Sequence, residues 1–297
     1  MGGMQAKVRG LTLEYETFGD SGNPALLLIM GLGQQLLSWP EPFCRQLADA
    51  GYYVIRYDNR DVGLSTKCDK GEHGGLVQGF LRYKMRLPVR APYDLGVMAH
   101  DALALATELE LERFHLVGVS MGGMIAQIAA DIAPDRVSSL VLMMTTSGER
   151  KLPSGTPRAT ALLGQKWPSS STEAMLDHAV MIKRVLEGSK YKSSEEDIRR
   201  STLEKVKRCF HPEGSVRHTL AVLASPDRKA LLARLDVPTL VIHGDEDPLV
   251  PLAHGQRVAE LVEGARLEVV RGMGHDVAAP AVQPVLAKLI LEHVAKV

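Results

Sequence analysis

The chain is predicted to fold as an open, mostly parallel α/β sheet flanked by helices, with a helical segment inserted late in the sheet. Three observations carry this. Six short Val-, Ile- and Leu-rich runs, at 25–30, 52–57, 115–119, 139–144, 239–242 and 267–270, lack strict polar alternation, as strands covered on both faces do. Helical patterns lie between them at 40–50, 95–109, 121–132 and 253–261, and such alternation builds a parallel sheet through right-handed crossovers. After Met144 the alternation stops, and residues from about 160 to 224 carry only helical signals.

Each element has its own justification. Residues 7–19 alternate through Val8, Leu11, Leu13 and Tyr15 with Arg9-Gly10 as a turn, which predicts an antiparallel edge hairpin. The stretch 145–157, with Ser, Gly and two Pro, is a boundary composition. Beyond it, Ser170-Ser171-Thr172-Glu173 and Ser193-Ser194-Glu195-Glu196 match the capping box, in which a hydroxyl and a carboxylate satisfy free N–H groups at a helix start. Met175, Ala179, Ile182 and Leu186 then recur at helical spacing. The strand pattern resumes at Val237. The expected organisation is one core, residues 1–146 and 229–297, with a helical cap inserted at 147–228.

Composition bounds the function. The 297 residues carry 35 basic and 35 acidic side chains, a formal net charge of zero, which removes the electrostatic argument for nucleic acid or an anionic membrane as partner. Hydrophobic residues at 45% and charged residues at 24% suit a globular chain rather than a disordered one. Cys44, Cys68 and Cys209 form no CxxC pair, so neither a disulfide scaffold nor a zinc ribbon is expected, and reduced thiols are the simpler reading. Residues 1–6 lack the apolar segment of a secretory signal, and Ala6 stands where N-myristoylation wants Ser or Thr. The longest apolar stretch, 24–33, is about half of a membrane-spanning helix. A cytoplasmic protein acting on a small molecule is expected, with homo-oligomerisation left open.

The most informative stretch is Leu116-Val117-Gly118-Val119-Ser120-Met121-Gly122-Gly123-Met124-Ile125. It reads strand, sharp turn, helix, with G-x-S-x-G at the turn. Small flanking residues let a serine sit at a strained position with its hydroxyl exposed at a helix N-terminus. The competing structural reading is a Gly-rich turn in which Ser120 caps the helix. A serine nucleophile needs a base, and the base an orienting carboxylate, in the chain order Ser, acid, His on this scaffold. Asp247, in the loop after the strand at 239–242, is the candidate acid, with Asp245 as competitor. His275, in the Gly-flanked loop after the last strand, is the candidate base; a solvated loop histidine is the alternative. His243, Asp245 and Asp247 also look metal-like, but they lack a fourth ligand and no metal is expected. The tetrahedral oxyanion needs two amide donors: Met121 N–H, directly after the nucleophile, and Leu32 N–H, in the loop Met30-Gly31-Leu32-Gly33. That loop has no third glycine and so fails the dinucleotide fingerprint.

These motifs resemble the α/β-hydrolase superfamily over nearly all of the core. The segment Arg56-Tyr57-Asp58-Asn59-Arg60-Asp61-Val62-Gly63-Leu64-Ser65 is similar to the family's D-x-R-G-x-G-x-S segment, with Asp61 in place of a usual glycine. Asp135-Arg136-Val137-Ser138-Ser139-Leu140-Val141-Leu142 resembles the strand after the nucleophile helix. The common His-Gly of the oxyanion loop is here Met30-Gly31. With Trp39-Pro40 and Val54-Ile55-Arg56-Tyr57-Asp58, that departure resembles the branch containing aclacinomycin methylesterase and related small-molecule carboxylesterases. The resemblance implies a cofactor-free serine esterase with a helical cap. Ser120 sets the chain apart from the dehalogenases and epoxide hydrolases of the fold, which use an aspartate nucleophile.

The expected function is hydrolysis of small to medium hydrophobic carboxylic esters through an acyl-enzyme. The alternatives are a non-catalytic binding protein on a hydrolase fold and a serine-triad C–C bond hydrolase or perhydrolase. Residues 74–90 hold Arg82, Lys84, Arg86 and Arg90 and no acid. They read as a surface loop with a solvated basic face, or alternatively as a mobile lid, and with the rest of 72–93 they are expected to influence specificity. Met143, Met144 and Trp167 are expected in the core rather than on a substrate wall.

Overall fold

A computed structural model describes residues 3–69, 74–168 and 171–297. The chain opens with the hairpin β1 (Met4–Val8) and β2 (Leu11–Phe18), continues through β3 (Ala25–Ile29), α1 (Glu41–Asp49), β4 (Tyr53–Tyr57), α2 (Gly75–Lys84) and α3 (Leu95–Glu108), and reaches β5 (Phe114–Val119), α4 (Met121–Ile132) and β6 (Val137–Met143). Five helices follow before the next strand: α5 (Pro157–Ala161), α6 (Thr172–Leu186), α7 (Glu195–Arg208), α8 (Pro212–Ala224) and α9 (Lys229–Leu232). The core then closes with β7 (Thr239–Gly244), α10 (Leu252–Leu261), β8 (Arg266–Val270) and α11 (Gln283–Val294).

The strands form one eight-stranded sheet in the order β1-β2-β4-β3-β5-β6-β7-β8. The hairpin joins it antiparallel through β2 against β4, and from β4 to β8 all pairings are parallel. The hairpin turns at Arg9 and Gly10, with φ of 49° and 78°, the left-handed pair that a two-residue hairpin turn requires. β3, fully buried along Ala-Leu-Leu-Leu-Ile, shows why the central strands are apolar throughout. Leu27 and Ile29 join α3 and α4 residues in one core, while Leu26 and Leu28 join Phe43 and Leu47 of α1 and Leu286 and Ile290 of α11 in the other. Met143 and Met144 belong to that second core.

The structure differs from the sequence expectations in three local respects. Both helix starts lie one residue later than the capping boxes imply. Ser171 caps α6 through Ala174 N–H at 3.1 Å, and Ser194 caps α7 through Asp197 N–H at 3.0 Å; Ser170 lies outside the described residues. At α6 the box carboxylate, Glu173, binds Arg199 instead, at 2.7 Å; at α7 Ser194 pairs with Asp197 three residues on, its hydroxyl donating to Asp197 Oδ2 at 2.7 Å. Residues 75–84, read first as a loop, form α2, which packs on α8 with Gly79 against Leu220; residues 70–73 lie outside the described residues. α11 is an additional helix, buried through Leu286, Ile290 and Val294 at a spacing of four.

A buried ion cluster ties the hairpin, the post-β4 segment and α3 together. Asp101 of α3 accepts from Arg60 Nε and an Arg60 terminal nitrogen at 2.6 and 2.8 Å, and from Arg9 at 3.2 Å. Arg60 also lies over the Tyr93 ring, 4.9 Å from its centroid. Removing one member leaves a buried charge without its partner. Asp101→Ala is therefore expected to cost about 3–5 kcal/mol in urea unfolding. The double substitution Arg60→Met with Asp101→Leu is expected to recover most of that loss; a double variant no more stable than the single one would contradict the assignment.

Candidate active site

The turn between β5 and α4 begins with backbone geometry. Ser120 has φ 54° and ψ −119°, a left-handed conformation that costs a non-glycine residue about 1–3 kcal/mol. It is held there by three hydrogen bonds: its N–H donates to Met143 O at 2.8 Å, and its carbonyl accepts from Thr145 Oγ1 at 2.8 Å and Met124 N–H at 3.2 Å. The flanking glycines are required by contact. A Cβ on Gly118 would lie 2.4 Å from Gly122 O, and one on Gly122 would lie 2.0 Å from Ile29 O. The Ser120 side chain makes no capping bond to α4. Its hydroxyl is free for another role, which removes the capping alternative.

The loop after β3 comes directly alongside. A Cβ on Gly31 would lie 3.3 Å from Ser120 Cβ and 3.8 Å from its Oγ. Leu32 follows Gly31, and Met121 opens α4. Among the described residues neither Leu32 N–H nor Met121 N–H donates a hydrogen bond. Both amides are therefore open, one in the loop beside Ser120 and one at the first residue of α4. The loop is fixed from outside: Asn59 Nδ2 donates to Met30 O at 3.1 Å, Leu36 N–H to Asp58 Oδ1 at 2.7 Å, and Gly33 N–H to His218 Nδ1 at 3.1 Å. Asn59, Thr145 and His218 are positioning residues that spacing alone did not single out, since each acts across a chain separation that only the fold closes.

Asp247 and His275 meet after β7 and β8. His275 Nδ1 donates to Asp247 Oδ2 at 2.7 Å, and Asp247 Oδ1 accepts from Leu249 and Val250 N–H at 2.9 and 2.8 Å. Burial pushes the Asp247 carboxyl up, but the His275 charge and these hydrogen bonds outweigh it and hold it below the usual range. Burial likewise pushes His275 down, and Asp247, with Asp276 adding, raises it above the ordinary value. An ionised Asp247 places the proton on Nδ1 and leaves Nε2 without one in the neutral ring. The competitor Asp245 instead accepts from Gly272 N–H at 2.7 Å, tying the two loops together. His243 Nε2 lies 2.7 Å from Val250 O, so the metal-like trio is divided among three separate tasks. Ser120, Asp247 and His275 follow β5, β7 and β8 at the carboxyl edge of the parallel sheet, where such sheets bind ligands. Among the described residues no hydrogen bond joins Ser120 Oγ to His275, a contact that commonly tightens only with substrate bound.

A sequence profile of the alpha/beta hydrolase fold family matches residues 24–279. The chain belongs to this family. It is 29% identical to rhodomycin D methylesterase DnrP of Streptomyces peucetius over 94% of each chain. It is 26% identical to 3-oxoadipate enol-lactonase 2 of Acinetobacter baylyi, over 88% of this chain and 85% of that protein. Among solved structures it resembles the meta-cleavage product hydrolase of Pseudomonas fluorescens IP01, with a TM-score of 0.77, 21% identity, and 99% and 98% of the two chains covered. The esterase of Exiguobacterium antarcticum gives 0.76 and 21%, with 99% and 100% covered.

Within this alpha/beta hydrolase, Asp61 occupies the place where glycine is usual, and its φ is 71°. The strain is offset by its carboxylate, which accepts from Arg217 at 2.8 Å, from Cys68 N–H at 2.6 Å and from the Tyr93 hydroxyl. Asp61, Asp69 and His211 converge closely enough for a metal, but one terminal nitrogen of Arg217 lies 2.7–2.9 Å from all three and supplies the positive charge itself. Among the described residues no helix is long and apolar enough to cross a membrane.

A general base acts in its neutral form, so activity is lost as pH falls through its pKa. With His275 raised, the acid limb of kcat/KM is expected above the ordinary 6.5. Asp247→Asn removes the group that raises it and leaves burial dominant, so the limb is expected to move to lower pH along with a large fall in rate. A wild-type limb below 6.5, or one unmoved in Asp247→Asn, contradicts the pairing.

Proposed function

We propose that the protein is a serine carboxylesterase that hydrolyses small to medium hydrophobic esters through an acyl-enzyme. The carrying observation is the strained Ser120, its hydroxyl unused in folding, beside two open amides. Ser120 Oγ attacks the ester carbonyl while His275 Nε2 takes its proton. Leu32 and Met121 N–H hold the oxyanion of the tetrahedral intermediate. Its collapse expels the alcohol, which receives the proton from His275. Water then attacks the acyl-enzyme by the same route in reverse, with Asp247 keeping the imidazole oriented and stabilising its positive form. The methylesterase relative supports ester chemistry, and a catalyst that uses only these side chains needs no cofactor.

Residues 147–228 act in this reading as a cap. Support comes from the ends of α6 and α7, which rest on the base loop and the oxyanion loop: His275 N–H donates to Leu186 O at 2.7 Å, and Gln35 Nε2 donates to Lys205 O at 2.9 Å. The three cysteines are unpaired, in keeping with a reducing cytoplasmic setting.

Ser120→Ala is expected to lower kcat on p-nitrophenyl esters by about 10⁴–10⁶ and to abolish labelling by a fluorophosphonate in folded protein. Full turnover by that variant, or no labelling of the wild type, sinks the mechanism. Across a C2 to C12 acyl series the optimum is expected at short to medium length; an optimum at the longest chains points instead to an open, lipase-like cleft.

A further inference from the structure

Among the described residues, exposed large apolar side chains are scattered singly along the chain except in one run. Val77 and Leu81, one turn apart on α2, are 85% and 54% exposed, and Met85 and Leu87 just beyond it are 52% and 43% exposed. Gly79, two residues from either, lies about half a turn round the helix. It packs on α8, where a Cβ would meet Leu220 at 2.5 Å. The apolar ridge of α2 therefore points away from the fold, and Lys84, three residues after Leu81, shares its side. The chain then reverses: Arg86 has φ 60°, Leu87 N–H donates to Arg82 O at 2.8 Å, and Arg82 Nε donates to Pro88 O at 2.5 Å. Ridge and turn are held as one unit, with residues 84–88 exposed without a break.

The same run carries Arg82, Lys84, Arg86 and Arg90, and residues 74–93 contain no acid. Arg150 joins them from a distant part of the chain: it lies over the Tyr83 ring, 4.0 Å from its centroid, and donates to Tyr83 O at 2.6 Å. Lys151 follows it, also exposed. The flanking acids are engaged elsewhere. Asp94 caps α3 through Val97 N–H at 2.9 Å, and Glu149 pairs with Arg257 at 2.8 Å. Among the described residues none of these cations has an ion pair. A chain with zero net charge thus presents one face that is cationic and, along its ridge, apolar.

We propose that α2 and the turn after it dock the protein on an anionic lipid surface. Val77, Leu81, Met85 and Leu87 enter the boundary between headgroups and acyl chains, while the cations reach lipid phosphates with their aliphatic stems alongside the ridge. Charge complementarity selects an anionic occupant, and composition selects lipid over protein. The ridge is aliphatic with lysine interleaved, and its aromatic neighbours Phe80 and Tyr83 are half-buried. Protein interfaces instead concentrate aromatic side chains and are poor in lysine. A symmetric contact with a second copy would set the same cations against each other. The docking face stands independently of the esterase reading.

The test is co-sedimentation of the full chain with phosphatidylcholine vesicles and with vesicles holding about 30 mol% phosphatidylglycerol. It compares wild type with the double variants Val77→Ser, Leu81→Ser and Lys84→Glu, Arg90→Glu. Wild type is expected to bind the anionic vesicles about tenfold or more tightly than the neutral ones, and to be released as salt rises from about 0.05 to 0.5 M. Each double variant is expected to weaken anionic-vesicle binding about tenfold or more. Both are expected to melt at the wild-type temperature, because the altered side chains are exposed. A wild type that stays in solution with both vesicles, or binding unchanged in both variants, overturns the proposal. Binding that the charge variant loses and the apolar variant keeps is adsorption without the ridge, and overturns it too. Binding to poly-L-glutamate but not to vesicles assigns the face to an acidic protein partner. A dimer in sedimentation velocity that Val77→Ser, Leu81→Ser dissolves, without vesicle binding, assigns it to a second copy. Either result overturns the lipid surface.

Discussion

The approach of α4 to the carboxyl ends of β3 and β5 is the constraint on which the rest of the site depends. At Gly118 and Gly122 there is no room for a Cβ: the nearest backbone oxygens would lie 2.4 and 2.0 Å away. That approach forces the reversal at Ser120 into left-handed φ, and the strain is borne by hydrogen bonds to Met143, Thr145 and Met124. It also brings Gly31 against the serine, because α4 packs on the Ile29 and Met30 carbonyls that precede the oxyanion loop. Ser120, the loop after β3 and the positive end of α4 are one mechanical unit. A larger residue at 118 or 122 would displace all three together.

Buried carboxylates do for the loops what glycines do for the turn. Asp58 accepts Leu36 and Leu64 N–H at 2.7 and 2.8 Å and an Arg208 guanidinium nitrogen at 2.6 Å. Asp245 accepts Gly272 N–H, and Asp247 accepts Leu249 and Val250 N–H. Each satisfies backbone amides that irregular structure leaves without partners, which is why the loops are stiff without being strands. Asp247 adds His275 to the same set, so orienting the imidazole and ordering its own loop are one act. Asp245, which orients no imidazole, is distinguishable only because the fold shows where it points.

The parts of the molecule that were legible in the sequence are those whose signal is local. Central strands buried on both faces leave uninterrupted Val-, Ile- and Leu-rich runs, and the strand-turn-helix at Ser120 leaves its glycines at fixed spacing. His275 was legible from its Gly-flanked position after the last strand. What stayed hidden depends on competition or on distance. The helix starts at Ser171 and Ser194 fall one residue later than the pattern predicts: Arg199 draws away the Glu173 carboxylate at the first, and Asp197 supplies the carboxylate for Ser194 at the second. The roles of Asn59, Thr145 and His218 exist only once β3, β4, β6 and α8 are assembled. Residues 75–84 gave an ambiguous pattern because α2 packs on its partner through Gly79, while Val77 and Leu81 remain exposed, so its apolar stripe does not mark its buried side.

Local rules broken at a cost are informative where the breaks cluster. Ser120 keeps a conformation that glycine would adopt without strain. Asp61 also keeps a glycine-like φ, but its carboxylate is satisfied by Arg217, Tyr93 and Cys68 within the fold, so its strain has a structural explanation. The strain at Ser120 has no such explanation: among the described residues its hydroxyl caps nothing, and it stands at the carboxyl edge of the parallel sheet against the loop after β3.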